Sequence, residues 1–113
     1  MYEPRIYHWT AKQALEGMPG VFRQLFQHGS MVLEFYAPRN VDEQQPHSRD
    51  ELYAVVSGTG WFVNGEIRHQ FGPGDILFAP AGAIHRFEDF SDDLQTWVIF
   101  YGPEGGEANL QIG

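Results

Sequence analysis

The stretch QPHSRDELYAVVSGTG, residues 45–60, places His47 four residues before Glu51, directly ahead of an apolar run. Ser48 and Glu51 match the S-x-x-E capping box, so one interpretation is the start of a helix. The residues that follow argue against it, because they are rich in β-forming side chains and end at Gly58 after barely two helical turns. The alternative is a bend between His47 and Glu51, with a β-strand beginning at Glu51.

The bend decides whether His47 and Glu51 can share a metal. Four steps of extended chain would separate them by about 13 Å, whereas each ligand of a metal lies about 2 Å from it. A third ligand must come from far along the chain, and His85 is the candidate, since it begins a strand-like run after the turn at Pro80–Gly82. Two imidazoles and one carboxylate form a facial triad that leaves open positions on a divalent metal. Taken alone, His85 is better interpreted as a structural histidine beneath the turn.

The rest of the chain is predicted to consist of short strands separated by turns. Asn64-Gly65, between two strand-like runs, predicts a hairpin. About eight such strands are typical of a β-sandwich or β-barrel. The N-terminal lead-in contains a predicted short helix from Thr10 to Leu15, with Thr10 and Gln13 as its capping pair. Strands such as LYAVV and TWVIFY are apolar on both faces and need a second cover, which is another sheet, the lead-in or another subunit.

The composition limits the classes of function. The chain of 113 residues suffices for one domain with one core. Its 7 basic and 15 acidic residues give a net charge of −8, which argues against a nucleic-acid partner, because such proteins need a basic face. No apolar run approaches the ~20 residues of a membrane span, and no signal-peptide pattern is present. We therefore expect a cytoplasmic protein without a membrane partner. The absence of cysteine excludes a thiolate ligand and a thiol nucleophile.

The two stretches that carry the metal ligands resemble the two sequence motifs of the cupin superfamily. The first motif runs G-x5-H-x-H-x3,4-E-x6-G, and its second histidine, its glutamate and its closing glycine correspond to His47, Glu51 and Gly58. The second motif runs G-x5-P-x-G-x2-H-x3-N, and its first four defined positions correspond to Gly74, Pro80, Gly82 and His85. The motifs cover residues 45–89 directly, and the strand pattern extends the resemblance to about 20–101.

Three positions depart from these motifs. Asp89 stands where the family has asparagine, Arg39 replaces the opening glycine, and Gln45 replaces the first histidine. A glutamine carbonyl is a weaker metal ligand than imidazole for most transition metals. Gln45 is therefore predicted to be a weak or water-mediated fourth ligand, and the alternative is a degraded site that binds no metal.

The resemblance implies an all-β fold, namely a small antiparallel double-stranded β-helix or jelly-roll barrel with a short N-terminal lead-in. The predicted organisation is a lead-in at residues 1–19, one barrel domain at 20–101 and a C-terminal tail at 102–113. The resemblance also implies a homodimer and a divalent metal (Fe, Mn, Zn or Ni) in the barrel lumen, held by His47, Glu51 and His85.

Side chains near this centre are predicted to form a pocket for a small-molecule ligand, with core packing as their alternative role. The predicted pocket residues are Phe35, Tyr53, Trp61, Phe87, Val98 and Phe100. Three function classes follow. The first is a metal-dependent enzyme, dioxygenase-like or isomerase-like, acting on a small organic acid, phenol or carbonyl compound. The second is a non-catalytic sensor or binding domain, and the third is a metal-free barrel for binding or assembly. No catalytic residue is assigned.

Overall fold

The structure is a computed structural model that describes residues 5–16, 22–40, 42 and 44–108. One short helix precedes eight strands. In chain order they are α1 (His8–Leu15), β1 (Phe22–His28), β2 (Met31–Tyr36), β3 (Asp50–Ser57), β4 (Gly60–Asn64), β5 (Ile67–Phe71), β6 (Ile76–Ala79), β7 (His85–Glu88) and β8 (Gln95–Tyr101). No helix in the described ranges is both long and apolar enough to cross a membrane.

The strands form two antiparallel sheets. The large sheet has the order β1-β2-β8-β3-β6, and the small sheet has the order β5-β4-β7. The predicted all-β fold of short antiparallel strands is therefore confirmed. The strand interpretation of the stretch after His47 is also confirmed, because β3 begins at Asp50 and no helix forms there. The predicted hairpin is present as well, with Asn64 of β4 paired to Ile67 of β5.

The core lies between the two sheets. On the large sheet, Tyr53 of β3 is the Cα partner of Val98 in β8, and both side chains are buried. On the small sheet, Phe62 of β4 pairs with Phe87 of β7. The ring of Tyr53 meets both phenylalanines edge-on, with ring centroids 5.5 Å from Phe62 and 5.0 Å from Phe87. These aromatic contacts join the sheets and define the interior side of each strand.

Helix α1 covers the outer face of the large sheet, and this corrects the predicted position of Phe35. Phe35 is fully buried, but its ring contacts His8 of α1 and Trp97 of β8 and is not part of the core cluster. Its neighbour Tyr36 belongs to that cluster instead. Strand alternation places Phe35 on the same face as Leu33, but it does not determine which face of the strand lies inside. The side that looked more apolar is the outer one.

Trp61 was also predicted in the lumen, and the structure places it outside. Its ring lies under the guanidinium of Arg68, with 4.2 Å from the guanidinium carbon to the ring centroid. Phe62, the next residue of β4, is the one that faces the core. Because side chains alternate along a strand, an error of one residue exchanges the two faces.

The lead-in differs from its prediction at the start of the helix. Helix α1 begins at His8, Tyr7 is its N-cap without a side-chain hydrogen bond, and Thr10 lies inside the helix. The helix is held by packing of its buried side and not by a capping side chain, since Ala11 is fully buried. The predicted boundary between residues 19 and 20 and the last part of the tail lie outside the described residues.

Two motif positions have backbone conformations that restrict the residue type. Gly58 has a φ of +93°, and a Cβ there would lie 2.6 Å from the Cα of Leu94. Only glycine fits this approach without a shift of the backbone. Asp89 has a φ of 47°, in the left-handed region that asparagine and aspartate tolerate better than most residues. The exchange of the family's asparagine for aspartate therefore preserves the turn.

A row of apolar side chains runs across the outer face of the large sheet. Registers between neighbouring strands align five half-buried residues, one on each strand. These residues, called here the outer row, are Phe26, Leu33, Ile99, Leu52 and Phe78. The predicted second cover for strands β3 and β8 is thus only partly supplied by α1, and the outer row is left half-exposed.

We expect a homodimer that buries the outer row, because an isologous interface is the commonest way to cover such a face. Sedimentation should show twice the 12.9 kDa chain mass. Leu52→Glu should shift the protein to monomer, because it places a charge in the middle of the row. Ile67→Glu on the small sheet, where Ile67 is 57% exposed, is the matched control and should leave the dimer intact. A wild-type protein that sediments only as monomer at micromolar concentration would refute the dimer.

Candidate metal centre

The three predicted ligands come together in the interior at one end of β3. Glu51 is the second residue of β3, and its side chain is only 1% exposed. His85 begins β7 and is also buried, whereas His47 lies before β3 and has a side chain that is 38% exposed. The distance to Glu51 Oε1 is 2.6 Å from His85 Nε2 and 3.9 Å from His47 Nε2. The three residues thus form one cluster with His47 on its open side.

Hydrogen bonds between two loops hold the ligands in this position. The carbonyl of His47 accepts a hydrogen bond of 2.7 Å from the backbone N–H of Gly82. Asp50, which is buried, accepts one of 2.9 Å from the N–H of Ala81 through its Oδ1. Both donors belong to the turn that precedes His85. The bend before Glu51 is therefore attached to the turn before His85, and this attachment brings distant parts of the sequence to one site.

The C-terminal tail supports the same bend. The N–H of Gly105 donates to the carbonyl of Ser48 at 2.7 Å, and the N–H of Glu107 donates to Asp50 Oδ2 at 2.8 Å. Each carboxylate oxygen of Asp50 thus has a backbone partner, one from the turn before His85 and one from the tail. The predicted position of the bend, between His47 and Glu51, agrees with the structure.

The hydrogen bonding of His85 determines which of its ring nitrogens carries a lone pair. Nδ1 lies 2.9 Å from the carbonyl oxygen of Ala83. A carbonyl only accepts, so Nδ1 must carry the proton and donate it. In the neutral ring, Nε2 then presents its lone pair towards Glu51 Oε1. Such an arrangement, with the second nitrogen fixed by a backbone carbonyl, is usual for histidines that bind metals.

Three buried atoms in this cluster lack a hydrogen-bond partner. They are both carboxylate oxygens of Glu51 and Nε2 of His85, although Oε1 and Nε2 lie only 2.6 Å apart. Two acceptors cannot satisfy each other, so the site requires a proton or a cation between them. Burial lowers the pKa of His85, but the carboxylate of Glu51, the carbonyl of Ala83 and the charge of Asp42 outweigh burial and raise it. A proton and a metal would thus compete for the same place.

The geometry fits one divalent cation. One ligand atom from each of His47, Glu51 and His85 lies within 4.8 Å of the other two. A cation with bonds of about 2 Å to nitrogen and oxygen ligands needs its ligand atoms at most about 4 Å apart, so small side-chain shifts suffice. The donor set of two imidazoles and one carboxylate suits Fe, Mn, Zn or Ni and leaves coordination positions open.

The structure has no strand that would direct the side chain of Gln45 into the interior. Residues 44–47 do not form a strand, and Gln45 is exposed. Its side chain therefore need not follow that of His47 into the interior, and its weak or water-mediated ligation stays a prediction. Gln44 is the half-buried member of this pair, and its Oε1 accepts a hydrogen bond of 2.8 Å from Tyr53.

Four of the six predicted pocket residues lie on the interior side with the cluster. Tyr53, Phe87 and Val98 are members of the core cluster, and Phe100 packs against it. The ring of His47 lies 5.0 Å from that of Phe100, and the ring of His85 lies 6.1 Å from that of Tyr53. The aromatic wall therefore touches the metal ligands directly. The binding of a ligand against this wall remains a prediction.

Sequence reasoning missed a polar network centred on Asp42. Asp42 is buried and accepts hydrogen bonds from Tyr36 OH, from the N–H and Nε2 of Gln44, and from the N–H of Phe87. The side chain of Gln44 then continues the network to Tyr53. Asp42 lies in a polar connection without periodicity, so no sequence signal distinguished it from its exposed neighbours. The network attaches the segment before His47 to β2, β3 and β7.

Comparisons with known proteins agree with this architecture. The Cupin_2 family model, described as cupin domain, matches residues 32–100. The uncharacterized protein SCO3923 of Streptomyces coelicolor is 36% identical over 87 residues, which are 75% of this chain and 83% of that protein. The crystal structure of TT1209 from Thermus thermophilus superimposes with a TM-score of 0.64 and 25% identity, covering 80% of this chain and 91% of that one.

A third similarity involves a relative whose name states an activity. Acireductone dioxygenase of Leishmania infantum is 40% identical over 60 residues. The match covers 48% of this chain and only 17% of that protein.

Proposed function

Since this chain belongs to the cupin domain family, we propose that it binds a divalent metal through His47, Glu51 and His85 and binds a small organic molecule beside it. The observation that carries the proposal is the pair of buried atoms Glu51 Oε1 and His85 Nε2, which lie 2.6 Å apart and are both acceptors when the His85 ring is neutral. Burying such unpaired groups is costly unless a proton or a cation joins them, and the proposal is that a divalent cation does so.

The proposed activity is a metal-dependent reaction on a small organic molecule, dioxygenase-like or isomerase-like. When bound, the metal would supply a Lewis acid with open coordination positions. His85 and Glu51 hold their donor atoms in fixed directions, and Phe100 and Tyr53 keep water from the inner side of the site. The similarity to acireductone dioxygenase, which extends over a stretch of 60 residues, supports the oxygenase alternative.

A second candidate is a non-catalytic binding domain with the same lumen. It is favoured by the hydrogen bonding of the two interior tyrosines. Tyr36 OH donates to Asp42, and Tyr53 OH donates to Gln44. Burial raises the pKa of both phenols, and nearby carboxylates raise it further. These phenols therefore stay protonated and cannot act as bases, which leaves few groups in the wall to move protons.

The metal proposal predicts a dependence on pH. Protein purified without chelators should contain about one equivalent of divalent metal at pH 7.5. The content should fall as the pH drops below about 6, because protonation of the imidazoles competes with the metal. Elemental analysis after equilibration at each pH measures this, and circular dichroism checks that the barrel stays folded.

Two results would contradict this prediction. Protein that contains no metal at pH 7.5, and takes up none of Zn²⁺, Ni²⁺, Mn²⁺ or Fe²⁺, would disprove the metal centre and leave the metal-free binding domain. Metal content that is equal at pH 7.5 and pH 5 would show that the metal is bound elsewhere than at the histidines.

A further inference from the structure

Among the residues that the structure describes, the interior of the barrel contains buried carboxyl groups but no buried lysine or arginine. The chain has 7 basic side chains, all within the described ranges, and each is directed elsewhere. Arg5, Lys12, Arg23 and Arg39 are exposed. Arg49 binds the backbone carbonyls of Ser30 and Gly102, and Arg68 and Arg86 form ion pairs with Glu88 on the outer face of the small sheet. No lysine or arginine is therefore among the buried residues of the described ranges.

Carboxyl groups, in contrast, face the interior from three directions. Glu51 lies in the metal cluster, and Asp42 is buried at the centre of the polar network. Glu34 of β2 is the third, since its Cα partner Val98 is a core residue and its neighbour on the inner face is Tyr36. Burial raises the pKa of Glu34, and so does the negative charge of Glu51, which places the two carboxyls within electrostatic reach of each other.

Glu34 differs from the other two carboxyls because it has no partner. Asp42 accepts four hydrogen bonds, and Glu51 belongs to the proposed metal. Glu34 is half-buried, and no hydrogen bond or ion pair joins it to any other residue of the described ranges. A half-buried carboxyl on the wall of a lumen is an acceptor that remains available to a ligand.

We infer that the ligand of this lumen is a neutral or cationic molecule that donates a hydrogen bond to Glu34, and that free carboxylates and phosphates are poor ligands. This inference rests on the proposed function only in placing the ligand beside the metal cluster. An anion in the lumen would face Glu34 and Glu51 without any arginine or lysine to neutralise it. The two positive charges of the proposed metal would equal the charges of Glu51 and Glu34 together, and the buried carboxyl of Asp42 would still leave the interior with a net negative charge. Small organic acids, one of the substrate classes expected from the sequence, are therefore disfavoured relative to alcohols, phenols and amines.

The test uses three probes with the same ring and different charges: benzylamine, benzyl alcohol and benzoate. Their dissociation constants are measured by calorimetry for wild type, for Glu34→Gln and for the control Glu66→Gln, whose carboxyl is exposed in the turn between β4 and β5. Each protein is measured with Zn²⁺ and after chelator treatment, and its Zn²⁺ content is determined separately. Thermal melting confirms that each variant is folded.

Wild type should bind benzylamine and benzyl alcohol at least about tenfold more tightly than benzoate. Glu34→Gln should reduce this ratio about tenfold, because it removes the charge and keeps the shape, whereas Glu66→Gln should not change it. Equal binding of benzoate and benzyl alcohol by wild type, or an unchanged ratio in Glu34→Gln, would overturn the inference. So would failure of both uncharged and cationic probes to bind.

The two proposals can fail separately in this experiment. A protein that takes up no Zn²⁺ but retains the preference against benzoate would disprove the metal centre and support the role of Glu34. A protein that takes up Zn²⁺ but binds the three probes equally would do the reverse.

Discussion

Replacing His85 with alanine is expected to lower the affinity for Zn²⁺ by at least about 100-fold. Changes of residues that merely orient a ligand cost 10- to 100-fold in comparable centres, and the loss of a ligand itself costs more. His85 presents Nε2 towards Glu51, and no other imidazole of the described ranges joins the cluster apart from His47. Competition with a fluorescent chelator measures the affinity of each protein.

The control for this prediction is His69→Ala, since His69 is exposed on β5 and away from the cluster. It should bind Zn²⁺ as wild type does. Because His85→Ala also opens a cavity, His47→Ala provides a second variant at a partly exposed position, and it should weaken binding with little loss of stability. A folded His85→Ala protein with unchanged affinity would show that the metal does not bind here.

Replacing Asp42 with alanine is expected to destabilise the fold by about 3–5 kcal/mol, the range found when one partner of a buried charged network is removed. The change leaves four donors without their acceptor, including the hydroxyl of Tyr36 and the N–H of Phe87. Each buried donor without a partner costs about 1–3 kcal/mol, although water entering the gap recovers part of it. For a domain of this size the melting temperature should fall by about 15 °C or more.

Thermal denaturation followed by circular dichroism measures this loss. Asp92→Ala is the matched control, because Asp92 is exposed in the turn between β7 and β8, and such surface changes stay within about 0.5 kcal/mol. Asp42→Asn should fall between the two, since an amide keeps one of the two acceptor oxygens. A melting temperature of Asp42→Ala close to that of Asp92→Ala would mean that the network contributes little to stability.

The strands were predictable because their signals are local, whereas the cluster of His47, Glu51 and His85 was predictable because its spacing resembles the two cupin motifs. A strand is indicated by its β-forming side chains and by the turn residues at its ends. The bend between His47 and Glu51 followed from a distance argument, because an extended chain would keep the two residues too far apart to share a metal.

The errors share a different physical cause. Alternation identifies which residues share a face, but the inside of a barrel depends on what covers the outside, and α1 over Phe35 was not visible in the strand itself. For the same reason Trp61 was predicted on the inner face of its strand, whereas Phe62 is the residue found there. Asp42 and Gln44 lie in a segment without regular structure, where no period relates a residue to its neighbours, so their network appears only in three dimensions.

The uneven exposure of the three ligands has a consequence for the kinetics of metal exchange. His47 has 38% of its side chain exposed, whereas Glu51 and His85 have 1% each. An ion that enters or leaves the proposed centre passes His47, the ligand that can rotate away without disturbing a strand. The path for exchange is therefore opened by the motion of one histidine ring at the mouth of the barrel, on the timescale of side-chain and loop motions. Unfolding of the sheets is not required for exchange.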